Sequence, residues 1–303
     1  LPIFTVVLKD ATGTPISSTT TDSNGNYSFT VTPGTYSVAV QAPAGYVVTG
    51  QDQGGNDTTD SDVNSAGQSG NVTLVSGQNN PTLDAGLYKL AELGDKVWLD
   101  SNSNGVQDAG EAGVTGVKVT LLDAAGNAVT STTTDASGNY LFTNLKPGTY
   151  SVQFDKTSLP AGYGFTTKDA ALGTDATDSD ADTATGKTIQ TVLDSGESDR
   201  TWDAGLIANP GSVTGTVLED VDHNGTGDTP IAGVTVVLKD PVTGNVIATT
   251  TTDTNGNYSF TGVPAGNYVV QETNKPGYTD VSDKDGGDLN SIAVTVTPGA
   301  TNS

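Results

Sequence analysis

Apolar residues in this chain alternate with polar ones over short runs, and Gly, Pro, Asn and Asp interrupt the runs every 8–12 residues or so. Tyr140-Leu-Phe142 gives way to Tyr150-Ser-Val152-Gln-Phe154 across a Pro-Gly turn. A period of two sends alternate side chains to one face of an extended strand. The spacing predicts short strands with Tyr140, Phe142, Tyr150 and Val152 lining one face. Asp135-Ala-Ser-Gly138-Asn139 reads as a tight connection of the hairpin kind, Gly138 supplying positive φ. Such a face has to be covered by a second sheet, so the expected fold class is all-β, built as a β-sandwich.

The pattern is itself repeated. Thr-Asp22-Ser-Asn-Gly25-Asn-Tyr27-Ser-Phe29 returns as Thr-Asp135-Ala-Ser-Gly138-Asn-Tyr140-Leu-Phe142 and as Thr-Asp253-Thr-Asn-Gly256-Asn-Tyr258-Ser-Phe260. Leu83-Asp84-Ala-Gly-Leu87 returns as Trp202-Asp203-Ala-Gly-Leu206. The offsets, 135 − 22 = 113 and 253 − 135 = 118, are those of one domain per copy. Three tandem sandwiches are expected, at 1–89, 90–208 and 209–303. The first lacks the opening strand and the loop that follows it, and the third stops short of the Asp-Ala-Gly-Leu strand. The window is expected to be a slice of a longer array, or a subunit whose ends neighbouring chains complete. Links at Lys89–Glu92 and Ala208–Pro210 are short enough to favour a stiff rod over loosely strung beads.

Charge narrows the partners. The 303 residues carry 12 Lys and Arg against 35 Asp and Glu, for a net charge of −23. Such a surface repels nucleic acid and anionic membranes and attracts multivalent cations. No apolar run approaches the roughly 20 residues of a membrane span. With no cysteine there is no disulfide and no thiol nucleophile, so another staple is needed, and a metal can serve.

The acidic residues are spaced for that role. In Asp100-Ser-Asn102-Ser-Asn104-Gly105-Val106-Gln-Asp108-Ala-Gly-Glu111, counted from Asp100, side-chain oxygens fall at positions 1, 3, 5, 9 and 12, with glycine at 6. That is the spacing of a twelve-residue calcium loop: Val106 would offer its carbonyl, and Glu111 would close the shell. The flanks read as strands, so the helix pair of an EF-hand is absent. A metal-free Asx-rich turn is the alternative. The third copy offers Asp220, Asp222, Asn224, Thr226 (through its carbonyl) and Asp228, but Ile231 stands at position 12, which predicts a weaker site. A second acidic motif reads Asp57-Thr-Thr-Asp60-Ser-Asp62 in the first copy and Asp175-Ala-Thr-Asp178-Ser-Asp180-Ala-Asp182 in the second, with a diverged Asp283-Lys-Asp285-Gly-Gly-Asp288 in the third. These are candidate ligands as well, against the alternative of solvated acidic loops. Asp84 and Asp203 read as turn formers more than as ligands.

Gly94-Asp95-Lys-Val-Trp98-Leu-Asp100 running into the loop, Gly116-Val117-x-Val119-x-Leu121, Thr134-Asp135-x-x-Gly138-x-Tyr140-x-Phe142 and Trp202-Asp203-x-Gly205-Leu206 together resemble, in order, the B repeats of serine-aspartate repeat surface adhesins. Those belong to the collagen-adhesin B-type superfamily. The resemblance spans all three copies. It implies prealbumin-like, Ig-like sandwiches, calcium in the loops, and a stalk on the bacterial cell surface or in a secreted protein. The amide cross-link of the superfamily needs a first-strand lysine. Trp98 and Leu218 stand at the matching point, and although Glu272 sits where the assisting acid would, Val40 and Phe154 replace it in the other copies. Calcium is then the expected staple.

Catalysis is not expected. His223, the one histidine, lies at an outward loop position, and no nucleophile–base pair is present. Trp98 and Trp202 read as core or junction packing in preference to sugar-stacking platforms. The expected function is a calcium-stabilised stalk segment. A filament subunit completed by copies of itself, a ligand-binding adhesin module and an accessory module of a larger secreted enzyme are the alternatives.

Overall fold

The computed structural model describes residues 3–53, 55–282 and 289–303; the Asp283–Asp288 motif lies outside them. The middle copy shows the fold most fully. One sheet runs in the order Asn139–Leu145, Ala91–Leu99, Ala204–Ala208 and Tyr163–Phe165, with Ser198–Asp199 also paired to Ala91–Leu99. Ala204–Ala208 lies parallel to Ala91–Leu99, matching Ala204 to Val97 and Leu206 to Leu99. The facing sheet runs Thr191–Leu193, Gly148–Phe154, Lys118–Asp123 and Ala128–Thr133.

The alternation read from the sequence carries the packing. Val119 and Leu121 from one sheet, Leu93 and Val97 from the other, and Phe154, Tyr140 and Trp202 between them close a continuous core. Phe154 is fully buried and stands edge-on to Tyr140 at 5.6 Å. Each such side chain contributes roughly 1.5–3 kcal/mol on leaving water. Trp98 and Trp202 are both buried, Trp98 completely.

Two expectations are corrected here. Tyr140 and Phe142 lie in the first sheet while Tyr150 and Val152 lie in the second. They face one another across the core and do not line one face. Asp135–Asn139 accordingly joins strands of different sheets and is a corner, not a hairpin. The corner is held locally: Asp135 Oδ1 accepts the N–H groups of Ser137 (2.8 Å) and Asn139 (2.9 Å). Gly138 adopts φ +83°, and a Cβ there would lie 2.3 Å from the Val97 carbonyl oxygen. The same Asp-capped turn recurs at Asp22 and Asp253.

The outer copies keep the second sheet intact: Pro15–Thr20, Thr5–Asp10, Gly34–Gln41 and Val72–Leu74 in the first, Val246–Thr251, Thr235–Lys239, Gly266–Thr273 and Ser291–Val296 in the third. The first sheet differs. In the first copy Tyr27 and Phe29 are only part-buried and their segment forms no strand ladder. In the third copy Gly211–Thr216 pairs with Asn257–Val263 and, in parallel, with Thr301–Asn302. Among the described residues the buried cores shrink accordingly, from 18 in the middle copy to 8 in the third and 5 in the first.

The joints are clasped by backbone. Lys89 donates its N–H to Ser195 Oγ at 2.8 Å and accepts from the Gly196 N–H at 3.2 Å. At the next joint Asn209 donates to the Gly162 carbonyl and accepts from the Gly299 N–H, both at 2.8 Å. In both joints the linker residue is held by a glycine turn of the domain that follows.

Candidate metal centre

The loop from Asp100 to Glu111 begins where Ala91–Leu99 ends. A nine-residue strand carries it roughly 30 Å from the first joint. Asp100 donates its N–H to the Leu206 carbonyl, and the Leu206 strand then leads out to Asn209 and the third copy. The loop therefore sits on the end of its domain that faces the second joint. A strand of this length carries the loop away from the link that precedes it in the chain.

Within the loop Asp100 is 3% exposed. Its Oδ1 accepts the Asn104 N–H (3.1 Å); its Oδ2 accepts the Gly105 N–H (2.8 Å) and the Thr166 hydroxyl. Asn102 and Asn104 both donate side-chain N–H to Asp108 Oδ2 at 2.8 Å. Their Oδ1 atoms accept from the N–H groups of Asn104 and Val106. Asp100, Asn102, Asn104 and Asp108 are thus drawn together, with Gly105 at φ +78° making the bend. Glu111 is turned elsewhere: Oε1 accepts from Ser101 and Oε2 from the Asp108 N–H.

In the third copy three carboxylates converge. Oxygens of Asp220, Asp222 and Asp228 lie within 4.8 Å of one another. Two ligands of one calcium, each at 2.3–2.6 Å, stand at most about 5 Å apart, so this donor set fits a hard dication. Asn224 Oδ1 accepts from the Thr226 N–H at 2.8 Å, which holds the Thr226 carbonyl segment in the same turn. Backbone hydrogen bonds from Gly225 and Asn224 keep the Asp220 carboxyl below its ordinary range, poised as an anion.

The second acidic motif of the middle copy comes to the same end of the domain as the first. Val106 bridges to Asp178, and Gln107 donates to the Thr177 carbonyl at 2.7 Å. Burial first, then the charges of Asp169 and Asp175, raises the Asp178 carboxyl. Asp175 is exposed. Asp180 is buried and accepts the Asp203 N–H at 2.7 Å; burial raises it to about 7. Asp182 stands apart, capping the turn at Ala184 and Thr185. In the first copy Asp62 accepts the Asp84 N–H in the same manner, Asp60 is part-buried with Oδ1 unpartnered, and Asp57 is exposed.

The sequence reading missed Asp95. It stands on the first strand beside Asp203, the residue read as a turn former. Asp203 is fully buried and accepts the Lys96 N–H at 3.1 Å, while its Oδ2 finds no hydrogen-bond donor. Burial and the neighbouring Asp95 charge raise the Asp203 carboxyl, and burial raises Asp95. A first-strand carboxyl, that of Asp95, therefore stands against Asp203 just ahead of the last strand. The alternation Leu93, Asp95, Val97 was the available signal.

The model of the SdrD B-like domain matches residues 2–87, 91–206 and 211–301. The chain belongs to the SdrD B-like domain family. It is 42% identical to serine-aspartate repeat-containing protein F of Staphylococcus epidermidis, covering 96% of this chain and 18% of that protein. It is 38% identical to serine-aspartate repeat-containing protein D of Staphylococcus aureus (strain Newman), covering 94% and 21%. The chain thus spans about a fifth of the length of these relatives. Among solved structures, the Bacillus anthracis TIE protein aligns over 99% of this chain and 46% of its own, at 18% identity and a TM-score of 0.38. The SdrD B-like family is a structural repeat module and not an enzyme family, and its members belong to bacterial cell-surface proteins. Among the described residues no helix is long and apolar enough to cross a membrane.

Proposed function

We propose that this segment is a calcium-stabilised stalk that extends another part of a bacterial surface protein away from the cell. The observation that carries this reading is the convergence of Asp220, Asp222 and Asp228 within 4.8 Å, in a protein of net charge −23. Like charges so placed repel one another in an exposed loop until a cation neutralises them. Calcium bound there supplies that positive charge and couples its binding energy to the folded loop.

The protein's own residues prepare the arrangement. Glycines 105 and 225, both at positive φ, let backbone N–H groups turn onto Asp100 and Asp220 and fix those carboxylates. Asp108 holds Asn102 and Asn104 in place. The Val106–Asp178 bridge joins the loop to the second acidic motif, and both lie at the end that faces the second joint. Ordering that end supports the clasp of Gly162, Asn209 and Gly299.

Small-angle scattering in calcium and in excess chelator tests the reading. A rod whose maximum dimension shortens and whose profile becomes flexible on chelation supports it. Identical profiles in the two conditions would remove it.

A further inference from the structure

Asn-Gly pairs occur at Asn24, Asn104, Asn224 and Asn255. Glycine carries no Cβ to shield its backbone nitrogen, so that nitrogen is a latent nucleophile toward the asparagine side-chain amide before it. In the corners at Asn24 and Asn255 the glycine N–H is spent on a backbone carbonyl, that of Asp22 or Asp253, each at 3.0 Å. An amide carbonyl is too weak a base to take that proton. In the two acidic loops the glycine N–H meets a carboxylate instead. Gly105 donates to Asp100 Oδ2 at 2.8 Å, and Gly225 donates to Asp220 Oδ2 at 2.9 Å.

The two loops then part company. Asn224 Oδ1 accepts the Thr226 N–H at 2.8 Å and the Thr226 hydroxyl as well, while Asn224 Nδ2 donates to Asp222 Oδ2 at 2.9 Å. Two donors on one carbonyl oxygen stabilise the negative charge that develops there when a nucleophile adds to its carbon. Asn104 Oδ1 accepts the Val106 N–H at 2.7 Å, and valine has no hydroxyl to add to it. Access differs too. Asn224 and Gly225 are exposed, and a Cβ on Gly225 would meet nothing within 4 Å. Gly105 is buried, and a Cβ there would lie 2.7 Å from the Ala170 Cβ and 3.0 Å from the Thr167 carbonyl oxygen. Water reaches the third loop far more readily than the middle one.

We propose that Asn224 is a self-modifying site, at which the folded loop speeds the conversion of its own asparagine to aspartate and isoaspartate. The Gly225 nitrogen adds to Asn224 Cγ as its proton passes to Asp220 Oδ2, and Thr226 holds the charge on Oδ1. The Cγ–Nδ2 bond then breaks, and Nδ2 leaves as ammonia with that proton. Water opens the cyclic imide that remains. Attack at Cγ gives aspartate, and attack at the backbone carbonyl carbon gives isoaspartate. One amide and one water become one carboxylic acid and one ammonia, with no change in oxidation state. The product sets a further carboxyl among Asp220, Asp222 and Asp228 and changes the charge of the loop irreversibly. What that does to a bound cation rests on the calcium reading; the chemistry itself does not.

The test incubates the 303-residue chain in neutral buffer with excess chelator and follows each Asn-Gly pair by peptide mass spectrometry. Water enriched in heavy oxygen marks only the conversion that occurs during the incubation. Asn224 should convert at least roughly tenfold faster in the folded chain than in the same chain unfolded in guanidinium, and faster than Asn104. Thr226→Val gives the loop the valine of its middle counterpart and should remove most of that excess, while Thr226→Ser should retain it. The comparison of folded and unfolded natural chain needs no variant and stands if Thr226→Val fails to fold. A folded rate at Asn224 equal to or below the unfolded rate would be ordinary Asn-Gly lability and would overturn the proposal. So would a folded Thr226→Val chain that converts as fast as the natural one. Because calcium is absent throughout, neither result bears on the metal reading.

Discussion

The backbone N–H of Asp203 donates to the Asp180 carboxylate at 2.7 Å, and the N–H of Asp180 donates back to the Asp203 carbonyl at 2.9 Å. This reciprocal pair fastens the acidic segment to the last strand, and it places two carboxyls where water does not reach. Asp62 and Asp84 repeat it in the first copy, at 2.5 and 2.9 Å.

A pH dependence follows. Burial raises Asp180 to about 7, burial and the Asp95 charge raise Asp203, and burial raises Asp95. A carboxyl raised in the folded state holds its proton after the unfolded chain has lost it near pH 4. Its contribution to stability is therefore complete below that pH and is lost as pH rises through the folded value. In chelator, thermal melting of the middle domain should give a higher Tm at pH 5 than at pH 8. Asp203→Asn keeps an acceptor for the Lys96 N–H and should flatten that slope.

Tyr140 donates to the Trp202 carbonyl at 2.6 Å within the core, and Tyr27 donates to the Leu83 carbonyl at 2.7 Å in part-buried surroundings. Tyr140→Phe leaves a buried carbonyl without its donor and should cost about 1–3 kcal/mol in chemical denaturation. Tyr27→Phe, where water can substitute, should cost less.

Gly162 and Gly45 are equivalent turn glycines at φ +81° and +84°. A Cβ on Gly162 would lie 1.9 Å from the Pro298 carbonyl oxygen across the joint, while a Cβ on Gly45 would meet nothing within 4 Å. Alanine at either position carries the same backbone strain, on the order of 1 kcal/mol. Gly162→Ala alone should also pry the second joint apart. Scattering should show a changed interdomain arrangement for Gly162→Ala and the wild-type profile for Gly45→Ala.

In the third loop, Asp222→Asn and Asp228→Asn each remove one of three converging charges. Each should weaken calcium binding roughly tenfold or more by titration calorimetry, since affinity in such loops follows ligand charge. His223→Asn, which tolerates the φ of +62° found at this exposed position outside that trio, should leave the affinity unchanged.

Much of this architecture was legible in the sequence. The period-two runs gave strands and inward faces, and the recurring Asp-x-x-Gly turns gave the repeat. Periodicity sets a side chain's face but not the sheet its strand joins, which is why Tyr150 and Val152 were assigned to the wrong side of the core. Lys96 and Asp203 meet across 107 positions of chain, so the Asp95–Asp203 encounter has no local signal. The loop residues themselves were readable from ligand spacing. The end of the domain they occupy was not, because it depends on the direction and length of Ala91–Leu99. Ile231 at position 12 suggested a poorer third loop. In the fold, Asp220, Asp222 and Asp228 converge while Glu111 turns to Ser101 and the Asp108 N–H; side-chain direction of that kind is set by packing and not by spacing.

Calorimetric melting of the 303-residue chain in saturating calcium and in excess chelator tests the coupling of metal to fold most directly. An ion present at about 100 times its Kd stabilises a site by ~2.7 kcal/mol, which for a domain of this size raises Tm by roughly 10 °C or more. The account predicts a rise of that order, reduced in the Asp222→Asn variant for the transition of the third domain. Superimposable melting curves with and without calcium would contradict it.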